Sequence, residues 1–359
     1  MTLPPLPGGR SAPKTLVYSA YRQDWLDRHH EQPLEPELPI VDSHHHLFER
    51  PRPRYMLEEQ LADINSGHRI VATVFMQSSS MYRIDGPEHL KLVGEVEFVN
   101  GYAAMAASGV YGPAHLCAAI VGGARLDQDI GLAREALEAQ IRAGNGRFRG
   151  VRQVAFWDAD PNVQLPLPDR IPHLLADARF RAGFALLAPL GLSFDAWVSF
   201  AQFDEAISLA RDFPGTSIVM NHVGGPISIG RFAGKRDEVF REWRLKMEEL
   251  ARCPNVTMKL GGMAMRLFGF GFDEQTEPPS SEQLAEAWRP YMDTAIQLFG
   301  PERCMFESNF PVDKGGCSYG VVWNAFKRIT ANYTDAEKRR MFAGTAIEVY
   351  KLELPGPAA

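Results

Sequence analysis

Short runs of β-branched and aromatic residues alternate along the chain with longer stretches in which apolar positions recur every three or four residues. From residue 39 onward the short runs fall at 39–46, 70–78, 116–126, 149–156, 191–198, 217–225, 255–263 and 304–311. Helical periodicity fills the intervals near 56–66, 88–108, 129–143, 170–181, 202–213, 236–252 and 282–299. A last helix is expected near 335–350, with Thr334 as its N-cap. Eight strands, each followed by a helix, predict a closed (β/α)8 TIM barrel over 39–359 rather than an open doubly wound sheet. Residues 1–38 form an N-terminal arm, because Pro4, Pro5, Pro7, Pro13, Pro33 and Pro36 interrupt regular structure there. Tyr18, Tyr21 and Trp25 suggest that the arm packs on the barrel, an oligomer contact being the alternative. The Gly- and Pro-rich stretch 268–281 reads as a loop over the barrel mouth.

Alternation along a strand sorts side chains into two faces, one turned to the barrel interior and one to the helices. On that rule Ile40, Asp42, His44 and His46 share a face, as do Thr73, Phe75 and Gln77. Gly150, Arg152 and Val154 share another, Ser193 goes with Asp195, and Met220 with His222. Thr257, Lys259 and Gly261 fall together, as do Met305, Glu307 and Asn309. Most strands thus carry a polar or ionisable residue near their C-terminal ends. Burying such groups is costly unless they are paired or bind something. The C-terminal rim is also where barrel enzymes place their chemistry. This convergence points to an enzyme.

Composition narrows the partners. The chain has 359 residues, 45% of them apolar, and a formal net charge of −6 with no basic cluster, so nucleic-acid binding is not expected. No apolar run approaches the roughly 18 residues of a membrane span, and Met1 to Pro13 has no apolar core of a signal peptide. The four cysteines, Cys117, Cys253, Cys304 and Cys317, form no CxxC pair and read as reduced thiols. The expectation is a cytoplasmic enzyme that takes a small-molecule substrate and makes no membrane contact. A homo-oligomer stays open, with Trp25, Phe268 and Phe270 available to line a partner surface.

The sharpest local signal is Val-Asp-Ser-His-His-His-Leu-Phe at 41–48. His44 and His46 stand two apart on a strand, so both imidazoles aim one way, a geometry that suits two ligands of one zinc-like ion. His45 points toward the helices. His222 ends another strand just before Gly224-Gly225-Pro226 and joins the metal set. His29, His30, His68, His89, His115 and His173 lie in arm, helix or loop contexts and read as solvated or capping residues.

Several segments carry a resemblance. Asp42-Ser-His44-His-His46, Gly150-Val-Arg152, Gly191-Leu-Ser-Phe-Asp195, Asn221-His222, Lys259-Leu-Gly-Gly262 and the run from Phe299 to Val312 occur in this order. Together they resemble the amidohydrolase superfamily (amidohydrolase-related family 2), in the branch of fuconolactonase-like sugar lactonases and 2-pyrone-4,6-dicarboxylate lactonases. The resemblance implies a barrel hydrolase with a divalent metal, zinc first, although some lactonases of the branch work without one. It also implies a strand-8 aspartate that binds metal and takes a proton from water. Here that position is Asn309, and an amide cannot serve as a general base near neutral pH. Three replacements follow in order: His222 as base with Asn309 orienting water or substrate, Asp313 from the rim loop, and Glu307 from about 6–7 Å deeper in the strand. For Glu307 a buried ion pair with Lys259 or Arg152 ranks above catalysis; for Asp313 the alternative is a plain surface residue.

The leading expectation is hydrolysis of a lactone or related cyclic ester. Arg152 would hold a substrate carboxylate or hydroxyl with its planar fork, with Gln77, Asp195 and Lys259 as further binding residues. Arg152 could instead pair internally with Asp195 or Glu307. A non-oxidative decarboxylase or hydratase is the second enzyme reading, and a non-catalytic ligand-binding barrel is the reading from another class. No nucleophile elbow, P-loop or dinucleotide-binding glycine motif is present.

Overall fold

The computed structural model describes residues 21–49, 54–163, 165 and 171–354. Tyr18, with the rest of the arm before residue 21, and position 170 at the start of one expected helix lie outside the described residues.

Eight strands form one parallel sheet in sequence order. They are β1 (Ile40–His45), β2 (Ile70–Met76), β3 (His115–Gly123), β4 (Phe148–Arg152), β5 (Ser193–Ala196), β6 (Ile218–Met220), β7 (Val256–Gly261) and β8 (Cys304–Glu307). Each ladder is parallel, and the ring is drawn shut by a parallel bridge between His45 and Phe310. There His46 N donates to Phe310 O (2.7 Å) and Asn309 N to His44 O (2.9 Å). The result is a (β/α)8 barrel.

A short helix in the arm, α1 (Gln23–Leu26), precedes the barrel helices. These are α2 (Leu57–Ile64), α3 (Val93–Ala107), α4 (Ile130–Ala143), α5 (Ala178–Phe184), α6 (Phe203–Asp212), α7 (Arg236–Leu250), α8 (Ser281–Phe299) and α9 (Tyr319–Ile329). The last expected helix is divided into α10 (Asp335–Arg339), a π-turn at Arg340–Gly344 and α11 (Thr345–Val349). Thr334 does cap it: its hydroxyl accepts from Glu337 N while the Glu337 carboxylate reaches back to Thr334 N. The helix expected at 170–181 starts later because Asp177 accepts from Arg179 N and Phe180 N and so opens α5 at Ala178.

The apolar residues divide as a barrel requires. Ile40, Phe75, Ile120, Val151, Phe194, Met220, Leu260 and Phe306 pack with helix residues such as Val96, Leu137, Trp243 and Trp288. Val41, Ala72, Val74, Met76, Ala119, Val121, Val219 and Met305 form the interior, closed by Ala343, Ala346 and Tyr350 from the C-terminal segment. This corrects three face assignments. Asp42 does not share a face with His44, because a register shift between Asp42 and His45 inserts a bulge in β1. Asp42 instead accepts from Ser308 N (2.9 Å), Ser308 Oγ (2.6 Å) and Tyr319 Oη (3.0 Å) beneath α9. Phe75 and Met220 face the helices, not the interior.

Residues 21–38 pack on the barrel. Trp25 is 2% exposed and donates from Nε1 to Thr276 O, which ties the arm to the 268–281 loop. Phe268 is also buried within the chain, so neither ring is displayed to a partner. Among the described residues no helix is long and apolar enough to cross a membrane.

Candidate active site

The bulge in β1 turns His44 and His46 to the mouth and His45 to the helices, where Gln60 Nε2 lies 3.1 Å from its Nδ1. His46 Nδ1 lies 2.9 Å from Met76 O. A carbonyl only accepts, so His46 carries its proton on Nδ1 and keeps a lone pair on Nε2. That Nε2 is 3.2 Å from His44 Nε2.

His222 reaches the same place by a different local device. β6 ends at Met220, and the backbone is left-handed from His222 to Gly225, with φ of 54°, 52°, 68° and 62°. That turn swings the imidazole inward although Met220 faces outward. Trp197 flanks the ring at 4.5 Å between centroids, and His44 lies 4.8 Å away on the same measure. Gly262 sits against it, and a Cβ there would meet His222 Cγ at 2.6 Å. Glycine is required at this position both for its φ of +69° and for the space.

Glu307 joins the two histidines. Its Oε1 accepts from His222 N (2.9 Å) and Nδ1 (2.7 Å), and its Oε2 lies 2.6 Å from His44 Nδ1. The latter pair lacks hydrogen-bond alignment, so His44 Nδ1 and Glu307 Oε2 are buried without a hydrogen bond. Burial, reinforced by Lys259, His222, His46 and Arg152, holds His44 well below the usual imidazole range. Burial also lowers His222, outweighing the opposing pull of Glu307. Both rings are therefore neutral near pH 7, with nitrogen lone pairs to offer. Burial pushes Glu307 up, but His222 and Lys259 outweigh it and keep it a carboxylate. His44, His222 and Glu307 present one ligand atom each within 4.8 Å of one another. Two imidazole nitrogens and one carboxylate oxygen, two of those groups holding unsatisfied buried atoms, fit a divalent cation.

The remaining expected residues distribute around this cluster. Arg152 ends β4 with one terminal nitrogen 3.3 Å from His44 Nε2; it also donates from Nε to Gln77 Oε1 (3.2 Å) and from its other terminal nitrogen to Gln77 O. Among the described ion pairs Asp195 is engaged by Lys259, and Glu307 by His44 and His222. Lys259 Nζ forms an ion pair with Asp195 Oδ1 (2.9 Å), to which Asn221 Nδ2 (3.0 Å) and Tyr350 Oη (2.9 Å) donate hydrogen bonds. The ion pair expected between Glu307 and Lys259 or Arg152 is thus replaced by Glu307's contacts with His44 and His222. Asn309 has φ of 55° and donates from Nδ2 to Asp313 Oδ1 (2.8 Å). Asp313 is not a surface residue: it is 0% exposed, its Oδ2 accepts from Ala264 N (2.9 Å), and burial pushes its carboxyl up to about 8.

The sequence profile of the amidohydrolase family matches residues 41–352. The chain belongs to that family. Among curated relatives, this amidohydrolase is 35% identical over 205 residues to an uncharacterised Sinorhizobium fredii protein, y4mH, covering 57% of this chain and 61% of that protein. It is 28% identical over 183 residues to an L-fucono-1,5-lactonase of Burkholderia multivorans, covering 51% of this chain and 59% of the lactonase. The alignments thus span about six tenths of the length of these relatives. A zinc-bound amidohydrolase structure from Burkholderia multivorans superposes with a TM-score of 0.66 at 21% identity, over 88% of this chain and 99% of that one. At that identity the likeness establishes the fold.

Proposed function

We propose that this amidohydrolase opens the ring of a lactone of a small sugar acid or carboxylated acid by attack of water on the ring carbonyl. The observation that carries the reading is the Glu307 carboxylate joining His44 and His222 at the C-terminal mouth, with the Arg152 guanidinium beside His44. A cation of any charge at this mouth stabilises the oxyanion that develops as water adds. Arg152 binds the substrate's carboxylate or hydroxyls through its planar fork. With no cation on it, His222, its Nδ1 hydrogen directed at Glu307, would keep Nε2 as the basic nitrogen and accept the proton of water, with Glu307 fixing the tautomer. Asn309, held by Asp313, orients water or substrate through its amide. The name of the lactonase relative supports the same reading.

His44, His222 and Glu307 would hold a divalent cation, zinc first by its preference for nitrogen donors, with His46 beside them. When bound, such a cation supplies Lewis-acid charge and acidifies water. With the His222 lone pair committed in that way, Asp313 would be the base beside Asn309, increasingly ionised as pH rises toward about 8.

The test is a panel of L-fucono-1,5-lactone, other aldonolactones and 2-pyrone-4,6-dicarboxylate followed by proton NMR, with evolved CO2 measured in parallel. The expected result is a ring-opened acid whose formation is lost in His222→Ala. No ring opening anywhere on the panel overturns the proposal, and CO2 from a carboxylated ring would replace it with a decarboxylase.

A further inference from the structure

Glu95 lies in the first turn of α3, where an acid usually faces solvent and complements the helix dipole. Here it is 0% exposed. Its Oε1 accepts from Ser78 N (3.1 Å) and Ser80 N (2.8 Å), while its Oε2 is buried without a hydrogen bond. The turn it holds is strained, since Ser79 and Met81 adopt φ of 60° and 56° without being glycine. Residues in that region persist only where their surroundings over-determine them. The turn follows directly on Gln77, whose carbonyl and side-chain oxygens both accept from Arg152, and whose Nε2 donates to Ser79 Oγ (2.6 Å). Ser80 Oγ also donates to Leu47 O (3.2 Å), one residue beyond His46. A continuous set of bonds therefore runs from Glu95 through the 78–80 turn to Gln77, Arg152 and His44.

We propose that Glu95 is a positioning residue: its carboxylate fixes the turn after β2 so that Gln77 presents the Arg152 fork to the anionic or hydroxylated end of the substrate. The inference rests on the assignment of Arg152 to substrate binding. Glu95 touches no substrate itself. Its effect is on where the guanidinium sits, and therefore on binding more than on turnover.

The experiment compares Glu95→Asp, Glu95→Gln and Arg152→Gln in the full chain. Glu95→Asp keeps a carboxyl group but withdraws the acceptor by about one carbon–carbon bond length; Glu95→Gln keeps the reach and one acceptor oxygen. Calorimetric dissociation constants for L-fuconate, KM and kcat on L-fucono-1,5-lactone, and crystal structures are the readouts. Glu95→Asp is expected to weaken L-fuconate binding and raise KM about tenfold with kcat within twofold, and to displace the Arg152 guanidinium. Glu95→Gln is expected to restore KM to within threefold. An unmoved guanidinium in the Glu95→Asp structure overturns the inference. So does equal impairment by Asp and Gln, because the reach that Gln keeps would then not suffice to hold the turn. If Arg152→Gln leaves binding and KM intact, the underlying Arg152 assignment fails; if only Arg152→Gln is impaired, the assignment stands and the role of Glu95 fails.

Discussion

Replacing Gly262 by alanine perturbs the site through one methyl group. The new Cβ would press hardest on His222 Nδ1 and stand 2.6 Å from His222 Cγ and 3.0 Å from His222 Cβ, all inside the 3.4 Å of ordinary contact. The imidazole must retreat by about 0.8 Å at Cγ and by more at Nδ1, and Trp197 at its other flank limits the direction of escape. A retreat of that size lengthens the 2.7 Å bond from Nδ1 to Glu307 Oε1 to the edge of hydrogen-bond range. Alanine at φ of +69° adds about 1–2 kcal/mol of backbone strain. Misplacing a reacting group by about 1 Å costs on the order of 100-fold in rate, equivalent to roughly 2.7 kcal/mol in the barrier. The assay is kcat/KM on L-fucono-1,5-lactone together with a thermal melt. Gly101→Ala is the control, because a Cβ at Gly101 in α3 meets nothing within 4 Å. Gly262→Ala should melt a few degrees lower and lose about two orders of magnitude of activity, while Gly101→Ala keeps wild-type activity. A folded Gly262→Ala protein that retains more than half of the wild-type kcat/KM would refute the reasoning.

Three further outcomes follow from other residues. Arg152→Lys keeps the charge beside His44 but loses the fork, so KM should rise about tenfold with kcat little changed; a fall in kcat at constant KM contradicts a binding role. Glu31 Oε1 accepts from Ser281 N (2.7 Å) at the start of α8 and its Oε2 from Asn324 Nδ2 (3.0 Å), and despite burial these bonds lower its carboxyl to about 2. That stabilisation is present above the ordinary carboxylate value near 4.5 and is lost as pH falls toward 2. Glu31→Ala should therefore cost on the order of 1–2 kcal/mol in urea unfolding at pH 7 and little at pH 2, and an equal loss at both pH values contradicts the account. Asp313 is shifted the other way, with its carboxyl pushed up to about 8, so the folded state binds more protons than the unfolded one between about pH 4 and 8. Thermal stability should fall as pH rises through that window, and Asp313→Asn should flatten the slope; an unchanged slope would remove Asp313 as its source.

The order of strands and helices was legible because periodicity survives in the sequence wherever one face of an element is buried. The meeting of His44, His46, His222 and Arg152 at one end of the barrel was legible as well, since each stands at a strand's C-terminal end. What the alternation rule missed was every place where the backbone leaves the ideal strand. The bulge between Asp42 and His45 reverses a face, and the left-handed residues His222 and Asn309 re-aim side chains that a period of two places elsewhere. Glycines after His222 were a usable signal for the second case; nothing local marks the first. The pairing of Glu307 with two histidines, rather than with Lys259, depends on Lys259 being engaged by Asp195 across the barrel. That is a tertiary fact with no sequence signature. Glu95 carries no signal of its role in the sequence, because an acid in a helical first turn reads as a solvated partner of the dipole.

The most direct measurement is elemental analysis of protein purified without chelator, before and after Glu307→Gln, with activity followed on removal and return of the metal. The account predicts close to one equivalent of divalent metal per chain, zinc first, bound about 100-fold more weakly in Glu307→Gln, and activity restored by the ion in wild type. Metal content indifferent to Glu307, or full activity in a metal-free preparation, would contradict a cation held by His44, His222 and Glu307.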